Sequence, residues 1–113
     1  MNLQEIIDAM DLKILTQHKD FTDIVPTSGY ASDMLSCVMT GCQSGGLWIT
    51  LQSHMNIVGV AALVEASAII ITEGAIPDQN TIDKAHQQDV ILLATASHTF
   101  AVCGRLWEMG ITK

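Results

Sequence analysis

Lysine and arginine are scarce in this sequence: five stand against twelve aspartates and glutamates, for a net charge of −7. Lys13, Lys19, Lys84, Arg105 and Lys113 are also scattered. Phosphate-backbone binding takes clustered basic side chains, so nucleic acid is not an expected partner. A small polyanion stays open, because backbone N–H groups can hold phosphate without side-chain charge. Cysteine is represented only by Cys37, Cys42 and Cys103. The number is odd, and no second pair or nearby histidine completes a zinc pattern. The three are expected to be small buried apolar residues of a reducing cytoplasm. No apolar run is long enough to span a bilayer, since Gly59 and Glu65 break the longest. Met1 to Glu5 lacks the basic-then-apolar order of a signal peptide, so a cytoplasmic, membrane-free protein is expected.

What is present is aliphatic. Hydrophobic residues make up 49% of the chain, charged ones 15% and aromatics 4%. No internal break in composition suggests two units, so residues 1–113 are expected to form one domain. Asn2 can cap a helix to about Met10, and Leu12 to Leu15 follows as a short strand. Gln17 to Asp20 is polar loop, and Pro26 leads into an extended segment, Thr27 to Ser32. Asp33 is expected to cap a helix bearing Met34, Leu35, Val38 and Met39, which Gly41 ends. Leu47–Leu51, Ala68–Ile71 and Val90–Leu93 are apolar runs of the kind covered on both faces. Between them, Ser53 caps a helix from His54 to about Ala66, and Pro77-Asp78 opens a polar one to Gln88. The breadth of apolar residues in the first, with Val58 and Leu63 widening its stripe, implies deep burial. Ser97 caps a last helix in which Phe100, Cys103, Leu106 and Trp107 are expected to pack. Strands alternating with helices through short connections imply an α/β fold, a mostly parallel sheet flanked by helices.

The stretches Ser28-Gly29-Tyr30-Ala31-Ser32-Asp33-Met34-Leu35 and Leu47-Trp48-Ile49-Thr50-Leu51-Gln52-Ser53-His54 resemble the DRTGG domain family. Pro77-Asp78 and Ala101-Val102-Cys103-Gly104-Arg105-Leu106 add to the resemblance, which runs from about Leu12 to Ile111. It extends to the regulatory domains of phosphate acetyltransferases and CBS-domain pyrophosphatases, and to the amino-terminal domain of HPr kinase/phosphorylase. The resemblance implies an α/β fold, a tendency to dimerise and no catalytic activity. Ser28-Gly29 stands where that family carries Gly-Gly, and the sequence that gives the family its name is absent.

No phosphate loop is present. Gly41 and Gly46 have its glycine spacing, but Leu47-Trp48 occupy the places of Lys and Ser/Thr. No dinucleotide fingerprint exists either. The more informative signal lies at the carboxyl ends of the strands, where open parallel sheets bind ligands. Those ends are polar each time: Asp33; Gln52, Ser53 and His54; Glu73; Ser97 and His98. Capping alone accounts for Asp33, Ser53 and Ser97, but not for His54, His98 or Gln52. If the strands share one direction, the seven residues gather on one rim and are the expected ligand site. Ser53 or Ser97 beside a histidine also invites a triad reading. Neighbours on one helical turn rarely attain that geometry, however, and no nucleophile elbow is present. His18, His54, His86 and His98 lack metal-ligand spacing, and His86 is expected to be solvated. Trp48 is expected in the core, whereas Trp107 and Met109 suit either the core or a dimer surface.

The resulting expectation is a non-catalytic homodimeric regulatory module without cofactor or metal. It senses a small polar or anionic metabolite, nucleotide-like by analogy with the resembling domains. Two rivals remain: a dimerisation module docking on a partner enzyme without a small ligand, and a small hydrolase or transferase.

Overall fold

The computed structural model describes residues 1–17 and 19–113. Along them run α1 (Leu3–Met10), β1 (Lys13–Ile14), β2 (Gly29–Ala31), α2 (Leu35–Gly41) and β3 (Leu47–Thr50). Then come α3 (Asn56–Val64), β4 (Ala68–Ile71), α4 (Gln79–Gln88), β5 (Leu92–Ala94) and α5 (Thr99–Glu108). The strands form one sheet in the order β1-β5-β4-β3-β2. β2 to β5 are parallel, as the alternation of strands and helices implies, while β1 pairs antiparallel with β5. The expectation of a shared strand direction therefore fails for β1 alone.

Every residue of β3, β4 and β5 is buried, because helices cover both faces. Successive strand residues point to opposite faces and so feed two cores. Leu47, Ile49, Ala68, Ile70 and Leu93 meet Leu3 and Ile6 of α1 and Val102 and Leu106 of α5. Trp48, Ile69, Ile71 and Leu92 meet Val38 of α2, Ile57, Val58 and Ala61 of α3, and Ala85 of α4. Three helices thus lie on one side and two on the other. Trp48 is fully buried, as expected, and its indole N–H donates to the Ser32 carbonyl at 2.8 Å.

Several local expectations need correction. Asn2 does cap α1, in a reciprocal arrangement with Glu5, and Asp78 caps α4 through the Thr81 N–H. Asp33, Ser53 and Ser97 cap nothing: Met34, Met55 and His98 hold the cap positions of α2, α3 and α5, without side-chain bonds. The last strand starts two residues later than expected, because Val90 N–H still closes the end of α4 on the Ala85 carbonyl. Phe100 and Leu63, expected to pack inward, are exposed, Phe100 at 90%, and Trp107, which suited either the core or a surface, is exposed at 63%. On α5 the buried side is carried by Val102 and Leu106 instead. Met109 packs against the α1/α5 core. Cys42 is buried, but Cys37 and Cys103 are only half-buried.

Ser28, at the glycine-pair departure, is buried. A Cβ on Gly46 would lie 2.7 Å from its hydroxyl, so the two residues share one space at the amino end of the sheet. That is the end away from the polar rim, and Ser28 has no bearing on a ligand there. No helix among the described residues is long and apolar enough to cross a membrane.

Candidate functional site

With β2 to β5 parallel, their carboxyl ends share one edge of the sheet. Asp33 follows β2, Gln52-Ser53-His54 follow β3, Glu73 follows β4, and Ser97-His98 follow β5. The seven residues expected at a rim thus share that rim, but not one pocket. Gln52, Ser53 and His54 line a cleft of about 640 Å³ together with Asn56, Ile76 and Asp78. Ser97 lines a second, of about 630 Å³, with Met10, Lys13, Leu15 and Thr95. Ile76, 75% exposed, projects between the two and lines both. Asp33, Glu73 and His98 line neither.

Asp33 is a brace. Its carboxylate accepts from the buried Thr50 hydroxyl at 2.7 Å and from Leu51 N–H at 2.9 Å. Its carbonyl accepts from the Gln52 side-chain amide at 3.2 Å. Together these bonds fix the turn that leads from β3 into the first cleft.

Glu73 and His98 belong to a seam. α4 leaves β4 for one face of the sheet and α5 leaves β5 for the other, so the loops part between these two strands. In open α/β sheets that parting is where ligands enter. Here the chain closes it. Glu73 N–H donates to the Ser97 carbonyl at 2.9 Å, Gly74 N–H to Thr95 at 3.1 Å, and the Thr72 and Thr99 hydroxyls meet at 2.6 Å. Glu73 adopts a left-handed φ of 63°, and its carboxylate reaches His98 Nδ1 at 2.8 Å and Thr99 N–H at 2.7 Å. The first turn of a helix favours an anion, and Glu73 supplies one from within.

The His98 bond first, and the Thr99 N–H next, hold the Glu73 carboxyl below the ordinary glutamate range. A carboxyl with a lowered folded pKa stabilises the fold above its unfolded pKa, and that contribution fades as pH falls through the lowered value. Carbon-detected NMR titration is expected to place the Glu73 midpoint below that of a model peptide. Glu73→Gln is expected to flatten the acid limb of the urea midpoint across that window. An unchanged acid limb would show the bond to be without thermodynamic weight.

The first cleft is differently equipped. α3 starts without a side-chain cap, and Asn56 N–H turns back onto the His54 ring at 3.2 Å. The backbone N–H groups of Ser53, His54 and Met55 donate to no described residue. Free donors at a helix start attract negative charge. Across the cleft, one Asp78 oxygen takes both the backbone N–H and the hydroxyl of Thr81, each at 2.9 Å. Those bonds, with a smaller contribution from nearby His54, keep the Asp78 carboxyl below its usual range. Its other oxygen accepts from no described residue. The cleft therefore offers donors on one wall and an acceptor on the other. Asp78, Asn56 and Ile76 were missed by sequence reasoning. Asp78 was visible only as a helix opener, and nothing local marked its spare oxygen.

Neither Ser53 nor Ser97 bonds an imidazole among the described residues, since His54 binds Asn56 N–H and His98 binds Glu73. His86, expected to be solvated, accepts from Gln17 N–H at 2.8 Å. Among the described residues no three His, Cys, Asp or Glu side chains converge on a metal position. His18 lies outside the described residues.

No protein-family model matches the chain, and no curated protein matches it. Among solved structures it resembles the regulatory region of a Clostridium perfringens pyrophosphatase. That region comprises CBS and DRTGG domains and was determined with its activator, diadenosine tetraphosphate. The TM-score is 0.73 at 16% identity, covering 90% of this chain and 44% of the other. The likeness is one of fold, and this chain spans less than half of the structure it matches.

Proposed function

We propose that this chain is a non-catalytic, cytoplasmic regulatory module of DRTGG type that senses a small metabolite in the cleft before α3. The metabolite carries an anionic group together with hydroxyl or amino donors, as a nucleotide does. The observation carrying this reading is the pairing of free N–H groups at residues 53–55 with the spare Asp78 oxygen across about 640 Å³. A phosphate fits the first wall, and a ribose hydroxyl or base amine the second. The space is within the ordinary range for small-molecule sites. The fold shared with a nucleotide-activated regulatory region supports the same class of ligand. Among the described residues no serine bonds an imidazole, so the rival hydrolase reading gains no support from them.

Thermal shift with nucleotides, coenzyme A derivatives and acetyl phosphate tests the proposal. A ligand at a hundredfold excess over its Kd adds about 2.7 kcal/mol of stability. His54→Ala is expected to shrink that shift while lowering the unliganded stability by about 1 kcal/mol, since the ring also accepts from Asn56 N–H at the start of α3. No shift with any compound would remove the sensing role. The exposed aromatic side chains of α5 favour association as a second activity of the module, a homodimer that presents the sensor to a partner enzyme.

A further inference from the structure

We propose that the second rim cleft, between the end of α1 and the turn after β4, is a binding site for a free aliphatic α-amino acid. It lies across Ile76 from the sensing cleft proposed above and goes beyond that role.

The register of β1 on β5 builds the floor. Lys13 pairs with Ala94, so their side chains leave the same face of the sheet, and Leu15, two residues on, joins them. That face is the one under α2, α3 and α4, because Leu15 packs with their core. β1 is the outermost strand and runs antiparallel to β5, so it starts at the carboxyl end of its neighbour. Its first residue, Lys13, therefore stands at the rim. Met10 and Asp11 close one side of the cleft and Gly74 to Ile76 the other, around about 630 Å³. Met10, Leu15, Ala75, Ile76 and Ala94 make the lining mostly aliphatic, where that of the first cleft is mostly polar.

Two opposite charges border this apolar space without meeting. Asp11 and Lys13 both line the cleft, and neither forms an ion pair among the described residues. The Asp11 end is negative beyond its own charge, since α1 has no basic residue in its last turn and helix carboxyl ends favour cations. Arg105 reaches only the Ala9 carbonyl there, at 3.0 Å. Also lining the cleft are Ala96, whose N–H donates to no described residue, and Ser97, whose hydroxyl is equally unengaged. Asp11 therefore suits an ammonium, and Lys13 with these donors suits a carboxylate. Only Leu12 separates the two charged residues, so their backbones lie no more than roughly 7 Å apart. A ligand that answers both carries its ammonium and carboxylate close together, as on one carbon. The aliphatic lining then takes its side chain. A plain carboxylate leaves Asp11 unanswered, and a plain amine leaves Lys13 so.

The test titrates the full chain with L-leucine and follows amide NMR shifts, with isocaproate and isoamylamine as the analogues that lack its ammonium and its carboxylate. Leucine, a ligand of about nine heavy atoms in an open cleft, is expected to bind with a Kd on the order of 1 mM. The Asp11, Lys13, Ile76 and Ala96 signals are expected to move. Either analogue is expected to bind about tenfold more weakly or worse. Asp11→Asn suits the left-handed backbone at that position and is expected to keep the fold. In that variant leucine should bind no better than isocaproate. In Lys13→Gln, at an exposed edge position, leucine should bind no better than isoamylamine. No saturable shift at about 20 mM leucine overturns the site, as do shifts confined to residues 52–56 of the first cleft. Analogues that match leucine on the wild type overturn the amino-acid class. Thermal shifts with nucleotides report on the first cleft, so the two readings fail or stand separately.

Discussion

Trp48→Ala is expected to lower the unfolding free energy by about 3–5 kcal/mol. Trp48 lies in an inner strand, has no solvent exposure, and packs in the core under α2 and α3. Its removal leaves a void that neighbouring aliphatic side chains can only partly fill. It also deprives the Ser32 carbonyl of its donor, and Ser32 immediately precedes Asp33, the brace of the β3 turn. The damage should therefore reach the first cleft as well as the core. Trp48→Phe separates the two effects, keeping most of the apolar volume while losing the bond, at about 1–2 kcal/mol. Urea unfolding followed by circular dichroism measures both. A loss below about 1 kcal/mol for the alanine variant would contradict close packing at this position.

Phe21→Ala is expected to cost a similar amount, about 3–5 kcal/mol, although Phe21 belongs to no helix or strand. The connection from β1 to β2 crosses from one edge of the sheet to the other, and Phe21 is its anchor in the core of α1 and α5. Around it the backbone is tied by Ile24 N–H to the Phe21 carbonyl and by Leu3 N–H to the Ile24 carbonyl at 2.7 Å. Truncating the ring should loosen this connection and the first turn of α1 together. Limited proteolysis is expected to cut the alanine variant near residues 19–25 under conditions that leave wild type intact. Phe21→Leu should recover most of both losses. Stability unchanged in the alanine variant would mean that the connection is held by its backbone bonds alone.

The parallel sheet was legible because Leu47–Thr50, Ala68–Ile71 and Leu92–Ala94 are apolar at every position but Thr50, a pattern that double coverage satisfies. The direction of β1 was not, since two residues at an edge have no periodicity to read. Caps were legible where the side chain had no competing task, as at Asn2 and Asp78. They misled where it had one: Asp33 serves Thr50 and Leu51, and α5 takes its carboxylate from Glu73, twenty-six positions earlier. On α5 the pattern contains two apolar sides, Val102–Leu106 and Phe100–Trp107, and only the packed structure says which is inward. The shared rim follows from strand direction and so could be foreseen. Its division by Ile76 depends on left-handed turns at Glu73 and Gly74, which sequence chemistry favours only at the glycine.

The strand order has a consequence for how the chain assembles. From β3 to β5 each strand pairs with the one made just before it, so the sheet can grow by short loop closures as the sequence advances. β1 is the exception, formed first but paired with the strand formed last. Until that late docking, Leu92 to Ala94 present an unprotected margin to any other unfinished copy. Two residues of N-terminal backbone are what closes it.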